Sequence, residues 1–492
     1  MLGKLEFLTG LGNAASAISR VSDIVMSAPS AIKMLQPIVE FGQSGPVSVA
    51  VTGLSRSGKS VFITSLAHNL LSAANKPARM PLLKAASDNR IVAATLHGPA
   101  AQATPLFPYR ANVSGMATNP PLWPQPTNDI SEIQIDIRFK PNGVLAGLLS
   151  KSAETKLSIT DYPGEWLLDL PLLRMSYDEW AHRTLALCNT GIRATEAGDW
   201  RNYIALLAAD APADEATAKQ AHGLYRAFLI RCRERYGLNY LQPGRFIRPG
   251  GLDDAPFLWF CPLEPAAAAK APRQGSLHAL MESRFESYKT NVVEPFYRDH
   301  FRRFSRQIVL VDVLHALLGG EDTFRDCQMA LEAIMESFKF GSRNFLPALF
   351  GSRIERVLFA ATKVDHVTRI QRDHLTQLLT NLVAIPELKV KSASAAANVM
   401  ALASVVCTED STEVIGGHTV DVVVGLPVGK DKRAKFFPGP IPARPPKPDE
   451  WQERFLNIPS FRPPSIEAAP TEGIPHINLD AALEFLLGDK LA

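Results

Sequence analysis

Gly53-Leu54-Ser55-Arg56-Ser57-Gly58-Lys59-Ser60 satisfies the pattern G-x-x-x-x-G-K-[ST] at every position. The glycines of such a loop let the backbone curl into a concave row of N–H donors. Lys59 reaches the outer phosphates of a nucleotide, and the Ser60 hydroxyl is placed for Mg²⁺. Ser55, Arg56, Ser57 and Val61 complete the expected phosphate cradle. Two further stretches carry compatible chemistry. Asp161-Tyr162-Pro163-Gly164-Glu165 supplies a carboxylate for Mg²⁺ and, at Gly164, an N–H suited to sensing a γ-phosphate. Thr362-Lys363-Val364-Asp365 ends in a carboxylate that can accept from guanine N1–H and its 2-amino group, where adenine offers only a bare acceptor. Lys363 is expected to lay its stem on the face of the base.

Each of these stretches needs a rigid element before it. Val47 to Thr52 is short and β-branched like a buried parallel strand, and Val61 to Leu71 is apolar at helical spacing. The loop between them therefore opens a helix N-terminus, which favours anions. Ile133 to Phe139 alternates as a half-buried strand near a sheet edge. Its expected partner is Lys156 to Thr160, which runs into Asp161. Ile308 to Val313 and Arg356 to Ala361 read as further buried strands, the second leading directly into Thr362. Val399 to Val406 reads as a last strand whose exit at Ser404 and Val405 offers backbone N–H groups to guanine O6.

A chain of 492 residues exceeds one compact core. Its net charge of +3 comes from 52 basic and 49 acidic residues. With no basic stripe interleaved with aromatics, nucleic acid is not an expected partner. Five scattered cysteines form no C-x-x-C pair, which argues against disulfide and zinc frameworks and for reduced thiols in the cytoplasm.

The chain divides into five expected parts. Residues 1–46 form an N-terminal helical extension, with an amphipathic contact to a membrane surface as the sharper alternative to simple packing. Residues 47–165 hold the first part of the core, interrupted by a Pro-rich insertion at 75–128 that reads as loop. Residues 166–306 are too long for a connection and form a helical insertion. Residues 307–410 complete the core, and 411–492 are a Pro-rich C-terminal extension. In that extension Asp421 to Leu426 reads as a strand and Leu479 to Leu487 as a helix.

Taken together, GLSRSGKS, DYPGEW, LFAATKVDH, ALASVV and EFLLGDKL resemble the YcjX-type bacterial stress-associated GTP-binding family over most of the chain. The resemblance implies an α/β P-loop NTPase fold: a Ras-like core with a mostly parallel sheet, large insertions and terminal extensions. It implies GTP and GDP with Mg²⁺ as ligands, and a stress-response protein of the cytoplasm or the inner-membrane periphery. By position Gly53, Gly58, Lys59 and Ser60 cradle phosphate and metal, Asp161 and Gly164 face Mg²⁺ and γ-phosphate, and Thr362, Lys363 and Asp365 hold the base. Thr127 is the counterpart of the threonine that completes the Mg²⁺ shell, with Ser131 as competitor.

One departure is chemical. Glu165 follows Gly164, where Ras-like proteins commonly carry a water-orienting Gln. Lys59, Gly164 and Glu165 thus form an incomplete hydrolytic set. The expectation is a slow GTPase switch that needs an activator, or a finger from Arg174 or Arg183. An ATP-using P-loop enzyme and a nucleotide-holding scaffold are the competing classes.

Overall fold

The computed structural model describes residues 46–54, 56–97, 104–126, 129–142, 152–252, 255–264, 273–338, 354–392, 396–451 and 456–492. Nearly all of the expected N-terminal extension, together with Ser55 and Thr127, lies outside the described residues. In chain order the main elements begin with β1 (Val47–Gly53), α1 (Lys59–Ser72), β2 (Ile91–His97), α2 (Tyr109–Met116), β3 (Ser131–Phe139) and β4 (Ala153–Asp161). A run of 3-10 turns, Gly164–Arg174, leads into α3 (Tyr177–Leu187), α4 (Glu215–Tyr236) and α5 (Leu277–Tyr288). Then follow β5 (Arg306–Val311), α6 (Gly320–Phe338), β6 (Arg356–Ala361), α7 (Arg372–Ser392) and β7 (Ala396–Ala401). Beyond them lie β8 (Thr408–Ile415), β9 (His418–Gly425), β10 (Ala434–Phe436) and α8 (Leu479–Leu487).

Among the described residues seven strands share one sheet, in the order β2-β3-β4-β1-β5-β6-β7. The five from β4 to β7 are parallel, and β2 and β3 add antiparallel pairings at one side. Both faces are covered, as a parallel sheet requires. Alternate residues feed two cores. Val309, Val311, Phe359 and Ala361 face the helices that follow β4, along with α6 and α7. Ile308, Leu310, Leu358 and Ala360 face α1 and α8.

Two expectations need correction. The Pro-rich stretch contains β2 and α2 and is not all loop. Its prolines punctuate these elements: Ile91 to His97 is proline-free, and Pro108 sits just ahead of the first turn of α2, where a missing N–H costs nothing. Strand β3 lies one place in from the edge, near it as expected, with β2 paired along it from Ile91 to His97. The last core strand starts earlier and stops at Ala401, since Ala403 leaves the sheet to bridge Ile477.

Between β4 and β5 the chain is mainly helical. Helix α4 is capped at its start by Asp214, whose carboxylate accepts from the Thr217 N–H at 2.7 Å, and at its end by Gly237. Glu215, at the first position of α4, forms an ion pair with Arg284 of α5. Large rings fill the interior here, with Trp180 stacked on Phe285 at 5.2 Å and Trp200 against Tyr225 at 4.7 Å. Such ring pairs add about 0.5–1.5 kcal/mol each beyond their burial. The same core runs on without a break to Ala50, Leu54 and Tyr162 at the sheet, so these helices are packed onto the sheet.

The C-terminal segment returns across the core. Ile477 bridges Ala403, the Ile474 N–H donates to Asn69 Oδ1 at 3.0 Å, and Asp489 pairs with the buried Arg306 at 2.7 Å. Before it, β8 and β9 form a hairpin closed by the two-residue loop Gly416-Gly417.

Candidate nucleotide site

All the motifs lie at the carboxyl edge of the parallel strands, where ligands of open α/β sheets bind. The loop after β1 starts with the Leu54 N–H donating to the Leu310 carbonyl at 3.2 Å, and the Ser57 N–H donating back to Leu54 at 3.2 Å. Gly58 has φ of 80°, a left-handed conformation that favours glycine and turns the chain into α1. Arg56, Ser57, Gly58, Lys59, Ser60 and Val61 line one cavity of about 400 Å³. Lys59 Nζ rests on the Gly53 carbonyl at 3.5 Å, a long contact that a phosphate oxygen would readily replace. The Ser57 hydroxyl is buried without a hydrogen-bond partner among the described residues.

Asp161 closes β4 directly beside Val51 of β1 and opposite Ser131 of β3. It is fully buried, and the Ser131 hydroxyl is buried without a partner among the described residues. Gly164 then passes so near β1 that a Cβ on it would stand 2.2 Å from the Gly53 carbonyl oxygen, so only glycine fits. Ser60, Asp161 and the orphaned Ser131 are hard oxygen donors of the kind Mg²⁺ takes, and the cationic loop suits a polyphosphate. The residues present therefore fit both groups.

The remaining wall of the cavity comes from the segment after β4, together with two prolines of the Pro-rich stretch ahead of β3. Pro124, Pro126, Glu165, Ile230, Arg233, Glu234, Ile247 and Arg248 complete its lining. Arg56 donates to the Glu234 carbonyl at 3.4 Å, which ties the phosphate loop to α4. Glu165 forms an ion pair with Arg233 at 2.6 Å. Burial alone would raise the pKa of Glu165, but Arg233, Lys59 and Arg248 hold it below the ordinary carboxylate value. Burial pushes the Arg248 pKa down, and the like charge of Arg233 adds to that. Neither Arg174 nor Arg183 lines this cavity. Arg233 and Arg248 do. The signal for Arg233 was the basic run Arg231-Cys232-Arg233-Glu234-Arg235 at the end of a helical stretch.

The third motif follows β6. The Thr362 N–H donates to Val311 at 2.9 Å, and the Val364 N–H to Leu402 at 3.2 Å, which fixes the turn between β5 and β7. Lys363 is left-handed, with φ of 61°, and its ammonium stands 2.5 Å from Asp312 Oδ2. Asp312 is buried, which works against ionisation, yet Lys363 holds its pKa low. This partner escaped the sequence reading although Asp312 directly follows an apolar strand. Asp365 is 2 % exposed and accepts from the Cys407 N–H at 2.9 Å and its thiol at 3.0 Å. Ser404 and Val405 turn between Ala403 and Val406, whose N–H groups donate to Ile477 and Pro475. Asp365, Ser404 and Val405 are not among the residues lining the phosphate-loop cavity.

The parallel sheet, the loop from β1 to α1 and the cationic cavity above it define an α/β protein of the P-loop class. The chain belongs to the YcjX-like family, DUF463, which it matches over residues 47–491. It is similar to the protein named Ras-like GTPase YcjX of Escherichia coli (strain K12), with 37 % identity over 463 residues, 93 % of this chain and 98 % of the relative. A second protein of that name, from Shewanella oneidensis (strain MR-1), is 35 % identical over 462 residues, 90 % of this chain and 94 % of the relative.

Proposed function

We propose that the protein binds guanine nucleotides with Mg²⁺ and hydrolyses GTP slowly, acting as a conformational switch in the bacterial stress response. The observation that carries this reading is the meeting, at one sheet edge, of a cationic phosphate loop after β1 and the buried carboxylate of Asp365 after β6. Support comes also from the two relatives, both named Ras-like GTPases.

In this reading Arg56, Ser57, Gly58, Lys59 and Val61 cradle the phosphates with Gly53 and Ser55. Thr362, Lys363 and Asp365 hold the base, and Ser404 and Val405 offer N–H groups to O6. Ser60 and Asp161 would hold Mg²⁺, which when bound neutralises charge on the β- and γ-phosphates. The orphaned Ser131 hydroxyl is favoured over Thr127 as a further ligand. Gly164 presents its N–H to the γ-phosphate, and Glu165 engages Arg233 rather than a water. With no Gln to orient the attacking water, hydrolysis is slow, below about one turnover per minute.

The switch element is the 3-10 run Gly164–Arg174, which connects the γ-phosphate sensor to the helices after β4. A protein activator accelerates turnover. The protein works in the cytoplasm or at the inner-membrane periphery. Among the described residues no helix is long and apolar enough to cross a membrane.

Competition binding tests the reading: the full chain is loaded with a fluorescent GDP and challenged with GTP or ATP in Mg²⁺. GTP should displace the probe at far lower concentration. Equal displacement by ATP would contradict the assignment of Asp365.

A further inference from the structure

Two guanidinium groups, Arg233 and Arg248, face the phosphate loop from the helical segment, and both line its cavity with Lys59 and Arg56. Four cations around one cavity, set against Glu165 and Glu234, leave a positive balance that favours a polyanion. Arg233 lies nearest the reacting end. It lines a second, much smaller cavity of about 10 Å³ together with Leu54, Gly164 and Glu165, beside the backbone that senses the γ-phosphate. Its position is fixed by its helix. Arg233 belongs to the last turn of α4, the Gly237 N–H donates to its carbonyl at 2.9 Å, and Arg56 of the phosphate loop grips the adjacent Glu234 carbonyl.

Resting on the GTPase reading above, we infer that Arg233 is an arginine finger supplied in cis, parked on Glu165 until a triphosphate draws it away. The reaction it serves is simple to balance. A water oxygen bonds to the γ-phosphorus, and the bond from that phosphorus to the β–γ bridging oxygen breaks. The electron pair stays on GDP, and the proton of the water ends on the released phosphate. Negative charge grows on the bridging and equatorial oxygens as the bond breaks, and a planar guanidinium is shaped to meet two of them at once.

Glu165 has a role under this arrangement that a water-orienting Gln would not have. Glu165 is buried, and its carboxylate holds the guanidinium beside the site. When Arg233 moves to the phosphate, Arg248 stays near Glu165 to balance its charge. The resting pair sets a threshold: the charges of GDP need not separate it, while the added γ-phosphate does.

The test uses the full chain and four proteins: wild type, Arg233→Ala, Arg233→Lys, and Arg235→Ala as control. Arg235 lies on the same turn but pairs with Glu196 at 3.3 Å, away from the cavity. Three quantities are measured: affinity for fluorescent GDP, capture of GDP with aluminium fluoride and Mg²⁺, and single-turnover hydrolysis of pre-bound GTP. Arg233→Ala should keep GDP affinity within about 3-fold, lose aluminium-fluoride capture and slow hydrolysis by at least about 100-fold, as expected for a lost finger. Arg233→Lys keeps a charge for Glu165 and so guards against a folding defect. It should bind GDP normally and still fail to capture aluminium fluoride, because an ammonium cannot make the paired contacts. Arg235→Ala should match wild type in all three. Undiminished capture and hydrolysis in both Arg233 variants would overturn the finger while leaving the GTPase reading standing. Failure of wild type to bind GDP would overturn both.

Discussion

Arg233 Nη2 lies 2.6 Å from Glu165 Oε1, joining the last turn of a helix to the residue that follows the Gly164 turn. The two are far apart in sequence, yet their pairing couples the helical segment after β4 to the strand exits that face the phosphate loop. Ordering of the Gly164–Arg174 run is thereby linked to α4. A ligand that engages Gly164 acts on both.

Lys59→Ala removes the ammonium from the loop. Its hydrogen bond is the long one to the Gly53 carbonyl, so the fold should be kept. Nucleotide binding should weaken by about 2 kcal/mol or more, the loss of a partly desolvated charge-assisted contact. Calorimetric titration with GDP, together with an unchanged thermal midpoint, checks both halves. Wild-type affinity in the folded variant contradicts the loop assignment.

Asp365→Asn should move base preference from guanine toward xanthine, whose 2-oxo group accepts where guanine donates. The Cys407 N–H can still be met by the carboxamide oxygen, so the local turn survives. Competition of GTP against XTP on both proteins is the measurement. An identical ranking shows that Asp365 does not read the base.

Asp169, in the 3-10 run, is 2 % exposed and accepts from the Gly244 N–H at 2.8 Å and the Tyr288 hydroxyl at 2.5 Å. Burial nevertheless pushes its pKa up from 3.8 to about 6. Between those values the folded protein holds a proton that the unfolded chain has released, so stability falls as pH rises through this window and levels off above it. The contribution amounts to at most about 3 kcal/mol. Urea unfolding of wild type and Asp169→Asn at pH 4 to 7 should show wild type losing ground to the variant as pH rises. A difference that stays constant with pH removes Asp169 as the source.

Leu483 of α8 is 1 % exposed in the core that also contains Phe62 and Leu358. Truncation to Ala should cost about 2–5 kcal/mol, since the surrounding side chains close the void only in part. The unfolding midpoint in urea reports it. A shift of a few tenths would mean that the C-terminal helix is not integral to this face of the sheet.

Much of the scaffold was legible because its rules are local. The continuous apolar runs at Val47, Ile308 and Arg356 mark strands buried on both faces, and the glycines and lysine of the loop mark its turn. Strand β2 was obscured by prolines on both sides, although the residues from 91 to 97 contain none. Strand β8 was missed although Gly416-Gly417 separates it from β9 by the shortest hairpin loop. Long-range pairings left no trace in spacing: Arg233 with Glu165, Lys363 with Asp312, Cys407 with Asp365. Each joins residues brought together only by the crossover order of the sheet or by the docking of the helical segment. Proximity in sequence therefore favoured Arg174 and Arg183.

The most direct measurement is a pair of structures of the full chain with Mg²⁺, one holding GDP and the other a non-hydrolysable GTP analogue. The account predicts the base on Asp365, the phosphates on Arg56 to Val61, and a displaced Gly164–Arg174 run with Arg233 off Glu165 in the triphosphate form alone. Nucleotide bound elsewhere, or the same backbone and the same Arg233–Glu165 pair in both forms, would contradict it.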